Sequence, residues 1–308
     1  MAILKGQGIS IRSIAAQLGR SPSTISRELR RNKDRSTPDD YLPHQAQAEA
    51  DLRWKQSHRR PRLKSPFLRT YVRSGLKRGW SPEQIAGRLR HEEHSDTVSH
   101  EAIYQWIYLE ARELIPRLAK AHRKRLTRRY RKKSRFRIPG RVFISDRPEH
   151  VQNRKQSGHW EVDTACSPRG TAALAVAVER KTRYIRIKNI PRKTAMAFRK
   201  ALTDSLGSYP GHMRMTITYD NGPENTCHGW INRTLGTKSY FCEPYHSWEK
   251  GTVENSIGLI RRYFPKGTYF NNVTRNQLIS VENRLNNRPR KCLNYQTPAE
   301  AFRAEYCT

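Results

Sequence analysis

Residues 159–165, HWEVDTA, have the alternation of a strand that is buried on one side. In an extended chain Glu161, Asp163 and Ala165 point to one side, and the side chains between them point to the other. Aspartate is a poor strand residue, so an aspartate within an apolar strand needs a reason beyond folding. Asp163 is therefore the first candidate site residue, and the strand that carries it is the element from which the fold is predicted.

Two further acids lie in comparable settings downstream. Asp220 follows the alternating run MTITY and precedes Asn221-Gly222-Pro223, which has the composition of a turn. Glu254 lies on a predicted helix, WEKGTVENSIGLIRRYF, at the border of an apolar stripe, and Lys250 and Arg261 share its side of that helix. Each acid alone has an ordinary explanation as an ion pair or a turn residue. Their joint occurrence at the ends of such elements favours a shared site.

The pattern around these acids predicts an α/β domain. Strands are expected at HWEVDTA, AALAVAVER, RYIRIKNI, MTITYD and KSYFCEPY, and helices at TAMAFRKALTDSLG, within 225–235, at WEKGTVENSIGLIRRYF and at RNQLISVENRLNN. An acid at the carboxyl end of a strand in an open sheet lies where such sheets place their ligands. Three hard oxygen donors with no nearby His or Cys favour Mg²⁺ or Mn²⁺, with two ions expected per site.

The N-terminal half is predicted to be helical. Ser10 caps IRSIAAQL, Gly19 ends it, and Ser21 with Pro22 begins a second helix, which is a helix-turn-helix pattern. The outer face of that second helix carries the candidate DNA contacts Ser23, Thr24, Arg27 and Arg31. A capping box at SPEQ and a cap at Ser99 predict a second helical unit, also a candidate for DNA binding, in which the aromatic residues form core.

The charge balance indicates a polyanionic partner. The chain has 60 Lys and Arg against 27 Asp and Glu, a net charge of +33. Its longest apolar run has seven residues (172–178), against the roughly 20 that span a bilayer, so double-stranded DNA is favoured over a membrane. Five scattered cysteines without a C-x-x-C pair, and no secretory signal, predict reduced thiols in a cytosolic compartment.

The most basic segment lies between the two halves. From residue 117 to residue 141, 13 of 25 residues are Lys or Arg. Such a block is expected to follow phosphates along a nucleic acid, with Arg128, Arg129 and Lys132 as candidate DNA contacts. The predicted organisation is a helix-turn-helix unit at 1–35, a linker at 36–66, a second helical unit at 67–112, a basic linker arm at 113–155 and a catalytic domain at 156–308.

These motifs, in this order, resemble the transposases of the insertion-sequence-thirty (IS thirty) family. The resemblance rests on ISIRSIAAQLGRSPSTISRELRRN, WSPEQIAGRLR with VSHEAIYQWIY, GHWEVDT, TYDNGPE, YHSWEKGTVENSIGLIRRYFPKGT and LNNRPRKCLNYQTPAEAF. It implies a multidomain chain: all-α helix-turn-helix units, then an α/β catalytic domain of the RNase H-like, integrase type. Position by position, it implies that Asp163, Asp220 and Glu254 form the catalytic, metal-binding DDE triad, with His246, Ser247 and Gly251 at the rim of the active site.

By the same resemblance, the expected activity is cleavage at terminal inverted repeats and joining of the freed 3′-hydroxyl to target DNA with Mg²⁺. The mechanism holds two DNA ends together, so a homodimer or larger assembly on DNA is expected. The chain starts at MAILKGQG, so the helix that usually precedes this helix-turn-helix is expected to be shortened. The alternatives are a metal-dependent nuclease without strand transfer, a non-catalytic helix-turn-helix regulator and, less favoured, a retroviral-type integrase. Glu161, on the same face as Asp163, is a possible supporting group.

Overall fold

A computed structural model of the chain describes residues 1–32, 41–58, 62–63, 65–118, 138–168, 172–243 and 247–307. The chain forms two compact units, Met1–Arg62 and Leu63–Thr308. Within the described ranges no helix is long and apolar enough to cross a membrane.

The first unit is helical. It contains α1 (Ala2–Gly6), α2 (Ile11–Gln17), α3 (Pro22–Arg31) and α4 (Pro43–His58). The predicted caps are present: Ser10 Oγ accepts from the Ser13 amide at 3.3 Å, and Ser21 Oγ accepts from the Thr24 amide at 3.2 Å. Ile14 and Ala15 of α2 pack against Ile25 and Leu29 of α3 in a small core. The predicted helix-turn-helix is thus present.

Helix α4 corrects the prediction of a linker at 36–66. Its sequence carries no apolar stripe, but it is rich in alanine and other strong helix formers. Polar contacts, rather than an apolar face, hold this segment on α3. The Tyr41 hydroxyl donates to Glu28 Oε1 at 3.1 Å, and Arg53 Nη2 donates to Asn32 Oδ1 at 2.6 Å. Such long-range polar pairs leave no periodic signal in a sequence, so the helix was missed.

The second unit begins with α5 (Pro66–Lys77), α6 (Pro82–His91), α7 (His100–Glu110) and a 3₁₀ segment, Arg112–Arg117. The predicted capping box at Ser81 and Gln84 and the predicted cap at Ser99 are present. Ile103, Trp106 and Ile107 of α7 are buried, as expected. Tyr108 is not core: half of its surface is exposed, and its ring stacks on that of Tyr104 with centroids 6.5 Å apart.

Helix α6 docks on the C-terminal part of the chain. Arg88 makes a bidentate ion pair with Glu300, with distances of 2.7 and 2.6 Å, and Gln84 Nε2 donates to the Pro289 carbonyl at 2.8 Å. Gly87 lies so close to the Tyr295 ring that a β-carbon there would overlap it. The second helical unit is therefore packed onto the α/β domain.

The α/β domain is built on a five-stranded sheet. Its strands are β1 (His159–Cys166), β2 (Ala173–Glu179), β3 (Ile185–Ile190), β4 (Thr216–Tyr219) and β5 (Lys238–Phe241), in the order β3-β2-β1-β4-β5. The first three strands pair antiparallel, and β1, β4 and β5 pair in parallel. All five strands fall where the alternation predicted them. Because β1 is central, its residues are covered on both faces.

Helices cover both faces of the sheet. They are α8 (Glu149–Gln152), α9 (Ala195–Leu206), α10 (His228–Leu235), α11 (Gly251–Tyr263), α12 (Arg275–Asn286) and α13 (Pro298–Tyr306). One apolar core joins Trp160 and Val162 to residues of α9 and α10. The other joins Ala165 to Val253 and Ile260 of α11 and to residues of α12. The alternation of β1 therefore directs Glu161 and Asp163 towards α11.

Part of the predicted basic arm belongs to this domain. Ile138 is buried in the first core, and the Val142 carbonyl accepts from the Phe241 amide of β5 at 2.8 Å. Apolar residues in the 138–155 segment thus pack on the sheet and on β5, which a count of basic residues alone does not reveal. Residues 119–137, the most basic part of the arm, lie outside the described residues.

Candidate active site

The pairing of β1 with β4 brings two of the predicted acids together. In this parallel pair Trp160 lies opposite Ile217 and Glu161 opposite Thr218. The same register carried two residues further sets Asp163 beside Asp220, the first residue after β4. Asp163, the fifth residue of β1, and Asp220 thus both lie just beyond the carboxyl end of the paired stretch of these two parallel strands, the position expected for a ligand site.

A lysine ammonium lies between the two aspartates. Lys250 Nζ is 3.4 Å from Asp163 Oδ2 and 3.9 Å from Asp220 Oδ2, and it donates to the Val162 carbonyl at 3.1 Å. The lysine side chain is 7% exposed, whereas the side chains of Asp163 and Asp220 are 27% and 42% exposed, so the ammonium is buried and the two carboxylates are partly open to solvent. This differs from the expectation that Lys250 projects outward beside Glu254 as a DNA contact. Its position instead shows that the two carboxylates hold one cation.

The surroundings of Asp163 make its charged form costly. Burial raises the pKa of Asp163 above its ordinary value, the Lys250 ammonium opposes that rise, and the neighbouring Asp220 adds to it. The Thr164 amide donates to Asp163 Oδ1 at 2.7 Å and stabilises the ionised form. The Lys250 ammonium beside Asp163 therefore stabilises the ionised form of that carboxyl.

Asp220 is oriented by the loop that follows it. Its Oδ1 accepts from Asn225 Nδ2 at 2.6 Å and from the Gly222 amide at 3.3 Å. A β-carbon at position 222 would lie 2.6 Å from Glu224 Oε2, so the loop requires glycine there. Asn225 also donates to the Asp220 carbonyl at 3.0 Å. The turn chemistry of DNGPEN thus fixes one oxygen of Asp220 and leaves Oδ2 facing Lys250.

Glu254 is separated from this pair. It lies in the first turn of α11, and its side chain is exposed. No group of three or more His, Cys, Asp or Glu side chains in the described part of the chain is close enough to hold a metal. The described residues therefore place the two aspartates on one cation and leave Glu254 exposed on α11, so the meeting of all three acids stays a prediction.

Glu161, whose role the sequence left open, anchors the start of α11. Its carboxylate is fully buried; Oε1 accepts from Arg180 Nε at 3.1 Å, and Oε2 accepts from the amides of Thr252 and Val253 at 3.0 and 3.1 Å. A carboxylate on the first amides of a helix satisfies donors that lack partners within the helix. Glu161 thus ties β1, which carries Asp163, to the helix that carries Glu254. Its position on the Asp163 face was the only signal in the sequence.

The remaining predicted site residues fall in three places. Ser23, Thr24, Arg27 and Arg31 are exposed on α3, as a DNA-facing surface requires. Arg261 is held beside the site: its Nη2 donates to the Cys166 carbonyl at 2.8 Å, and its guanidinium lies over the Phe270 ring. Gly251 is exposed at the first position of α11. Arg128, Arg129, Lys132, His246 and the side chain of Ser247 lie outside what the structure describes.

Comparison with known proteins decides the family. A family model described as a helix-turn-helix domain matches residues 1–32. The transposase for insertion sequence element IS4351 of Bacteroides fragilis is 41% identical over 96% of this chain and 90% of its own length. The transposase InsI for insertion sequence element IS30A of Escherichia coli K12 is 37% identical over 95% of this chain and 78% of its own. The chain belongs to the IS30 family of transposases.

This transposase is also similar to a solved structure, the catalytic core domain of BIV integrase. The TM-score is 0.39 and the identity 22%, over 49% of this chain and 97% of that one. The helix-turn-helix match and the mixed sheet confirm the predicted architecture, a helix-turn-helix followed by an α/β domain. The relatives named as transposases confirm that the protein is a DNA-transposing enzyme, a polynucleotidyl transferase.

Proposed function

We propose that Asp163, Asp220 and Glu254 are the catalytic residues of this transposase and that they hold divalent metal ions. The observation that carries the proposal is that Asp163 of β1 and Asp220, which follows β4, together hold one cation, the Lys250 ammonium. Carboxylate oxygens without His or Cys form a ligand set that suits Mg²⁺ or Mn²⁺. Two such ions, held by these carboxylates, would activate the attacking oxygen and stabilise the departing one.

In the proposed reaction, water attacks a phosphodiester at the element end. The bond from phosphorus to the 3′-oxygen breaks, and the element keeps a free 3′-hydroxyl. That hydroxyl then attacks a phosphodiester of the target, which loses its own 3′-oxygen in the same way. The protein's contribution is to hold the reacting groups in line and to place negative charge where the cations are needed.

Glu254 is proposed to complete the site when the DNA strand is in place. It lies in the first turn of α11, four residues after the lysine that contacts the aspartates. Lys250 would then leave the aspartates, since its ammonium and the metal ions compete for the same oxygens. The exposed position of Glu254 and the anchoring of α11 by Glu161 are compatible with such a late contribution.

Recognition of the element is assigned to the helical parts. We propose that α3 reads the terminal inverted repeats through Ser23, Thr24, Arg27 and Arg31, and that α7 adds a second contact. The basic segment with Arg128, Arg129 and Lys132 is proposed to follow the DNA backbone, and His246, Ser247, Gly251 and Arg261 to line the site. A homodimer or larger assembly on DNA would hold two ends at once.

The test uses labelled duplexes that carry candidate element ends, with Mg²⁺. Three variants are each expected to abolish cleavage and strand transfer: Asp163→Asn, Asp220→Asn and Glu254→Gln. Their DNA affinity should stay within about threefold of that of the parent chain, because the substitution changes charge at the reacting centre and leaves the DNA-binding surface unchanged. Asp204→Asn, an exposed carboxylate on α9 paired only with Lys200, is the matched control and should retain full activity.

Cleavage that survives in these variants would remove the acids from catalysis. Loss of DNA binding in all three would make them structural. Cleavage without any joined product would leave a nuclease rather than strand transfer.

A further inference from the structure

A cavity of about 340 Å³ lies beside the first turn of α11. Three arginine side chains, Arg154, Arg183 and Arg290, line it together with Thr252, Ser256 and Cys292. The arginines come from three segments far apart in the sequence: the loop after α8, the turn between β2 and β3, and the segment after α12. The fold therefore assembles a basic cavity that no sequence motif marks.

The backbone at two of these positions is unusual. Arg154 has φ of 58° and Arg183 has φ of 63°, in the left-handed region that residues other than glycine rarely adopt. A left-handed non-glycine residue is strained and persists only where the surrounding structure enforces it. Both arginines therefore lie at backbone positions that the surrounding structure fixes.

The positive charge in the cavity has no matching negative charge. In the ranges that the structure describes, none of the three arginines takes part in an ion pair, and Arg183 makes one side-chain hydrogen bond, from Nη1 to Thr252 Oγ1 at 3.0 Å. The Nε atoms of Arg183 and Arg290 are buried without an acceptor. Burial lowers the pKa of Arg154 and of Arg290, and the nearby Arg183 lowers both further. A buried donor without an acceptor costs about 1–3 kcal/mol.

The carboxylates of the described residues do not neutralise these three arginines. Glu161 acts electrostatically on Arg154, but its two oxygens are already committed to Arg180 and to the first amides of α11. An anion from outside the chain would supply the missing acceptor. Clustered guanidinium groups beside the N-terminal end of a helix, with hydroxyl donors nearby, suit a phosphate group best.

We propose that this cavity binds a phosphate group of the DNA strand that passes over the start of α11. The inference rests on the proposed function, because Thr252 and Asn255 of the cavity flank Glu254 on the same helix. A phosphodiester held there would fix the strand beside Glu254 on α11. The two aspartates lie on a different part of the site, on β1 and directly after β4. Arg154, Arg183 and Arg290 then act as positioning residues for DNA rather than as catalytic groups.

Cys292, an exposed thiol in the cavity, provides a direct readout in the full-length protein. Its alkylation by iodoacetamide is followed by peptide mass spectrometry, with the exposed Cys307 as internal reference. Saturating duplex DNA is expected to slow alkylation of Cys292 by about fivefold or more, as mass action requires for an occupied cavity, and to leave Cys307 unchanged. Inorganic phosphate in a parallel arm probes the same cavity with a free anion.

Arg290→Gln is the test variant, with Arg154→Gln as a second variant on a separate segment. Each is expected to raise the DNA concentration that half-protects Cys292 by about tenfold and to reduce the slope of log K against log salt by about 1. Arg303→Gln, on the exposed side of α13, is the control and should change neither quantity. Thermal melts of all variants show whether the fold is kept.

The possible results separate the two proposals. DNA that is bound, as fluorescence anisotropy reports, but leaves Cys292 unprotected would overturn the phosphate site while the proposed function stands. Protection by inorganic phosphate but not by bound DNA would overturn the DNA assignment in favour of a free anion. If DNA does not bind at all, the proposed function fails, and the experiment with inorganic phosphate alone tests the cavity. Protection of Cys292 by phosphate that Arg290→Gln abolishes would support an anion site. The absence of protection by phosphate would overturn it.

Discussion

At the scale of single residues, Lys250 is the feature that distinguishes this site from three acids around a metal. One ammonium lies within 4 Å of both aspartates and shields their mutual repulsion. The same ammonium competes with any metal ion for those oxygens. Under the proposed function, Lys250 therefore lowers the affinity of the aspartates for metal ions, as well as stabilising the pair.

Replacement of Lys250 by methionine tests this dual role. Without added metal, Lys250→Met is expected to lower the free energy of unfolding by about 2 kcal/mol, since two partly buried carboxylates lose their cation. With Mn²⁺ the loss should be recovered and the metal should bind more tightly than to the parent chain, because its competitor is gone. Denaturation with and without Mn²⁺, with isothermal titration calorimetry, measures both. Equal or weaker metal binding in Lys250→Met would contradict the competition.

His159, at the start of β1, predicts a loss of stability in mild acid. The pKa of His159 is lowered to about 4, chiefly by burial and in addition by the nearby charge of Arg180. The unfolded chain binds a proton near pH 6.5, so between about pH 6.5 and 4 it holds more protons than the folded chain, and stability falls with falling pH. This contribution is fully present above pH 6.5 and is lost as pH falls through the folded pKa.

From pH 7 to pH 5 this linkage should remove about 2 kcal/mol, and His159→Gln should flatten that part of the profile. Urea denaturation across this range provides the measurement. His212→Gln, in the 3₁₀ segment before β4, is a control that should keep the parent profile. An unchanged slope in His159→Gln would mean that other groups dominate the acid response.

The sequence was sufficient to predict the two aspartates, because parallel strands that lie side by side bring their carboxyl ends together. The sequence did not predict the position of Lys250. Its side chain points inward just before α11, on a side of the helix that was predicted to face solvent. Glu161 was visible only as a neighbour on the same face. The arginine cavity was invisible, since its three residues meet only after the turns and helices of the fold are formed.

At the scale of secondary-structure elements, the docking of α6 depends on a glycine. Gly87 lies against the Tyr295 ring, and a β-carbon there would overlap it. Gly87→Ala is expected to cost about 1–3 kcal/mol, because the gain in helix propensity is smaller than the cost of the overlap. Gly258→Ala, inside α11 with no atom within 4 Å of an added β-carbon, should instead stabilise by up to about 1 kcal/mol.

Chemical denaturation of the two alanine variants separates propensity from packing. A stabilised Gly87→Ala would show that α6 does not dock on the segment with Tyr295. Elements with caps and clear periodicity, such as α3, α6 and β1, were predicted well, since their signals are local. Helix α4 and the 138–155 segment were not, because polar contacts and a few buried apolar residues bind them to distant parts of the chain.

At the scale of the whole molecule, the chain divides at residues 62 and 63. A fragment of residues 63–308 is therefore expected to fold on its own, with a single cooperative melt and the strand and helix content of the parent. It should retain metal-dependent nicking of DNA but lose preference for element ends, because α3 is absent. Circular dichroism, calorimetry and competition between end and random duplexes measure these properties. A fragment that retains end preference would place recognition in α7 instead.

The docking of α6 on the segment around Tyr295 and Glu300 has a geometric consequence. Because α7 shares a core with α6, both helices move with the sheet that carries the aspartates as one body. A base pair bound by α7 would then lie at a fixed number of nucleotides from the scissile bond. The position of cleavage would be set by this distance. One extra base pair between the segment bound by α7 and the cleavage site would therefore move the incision by one nucleotide.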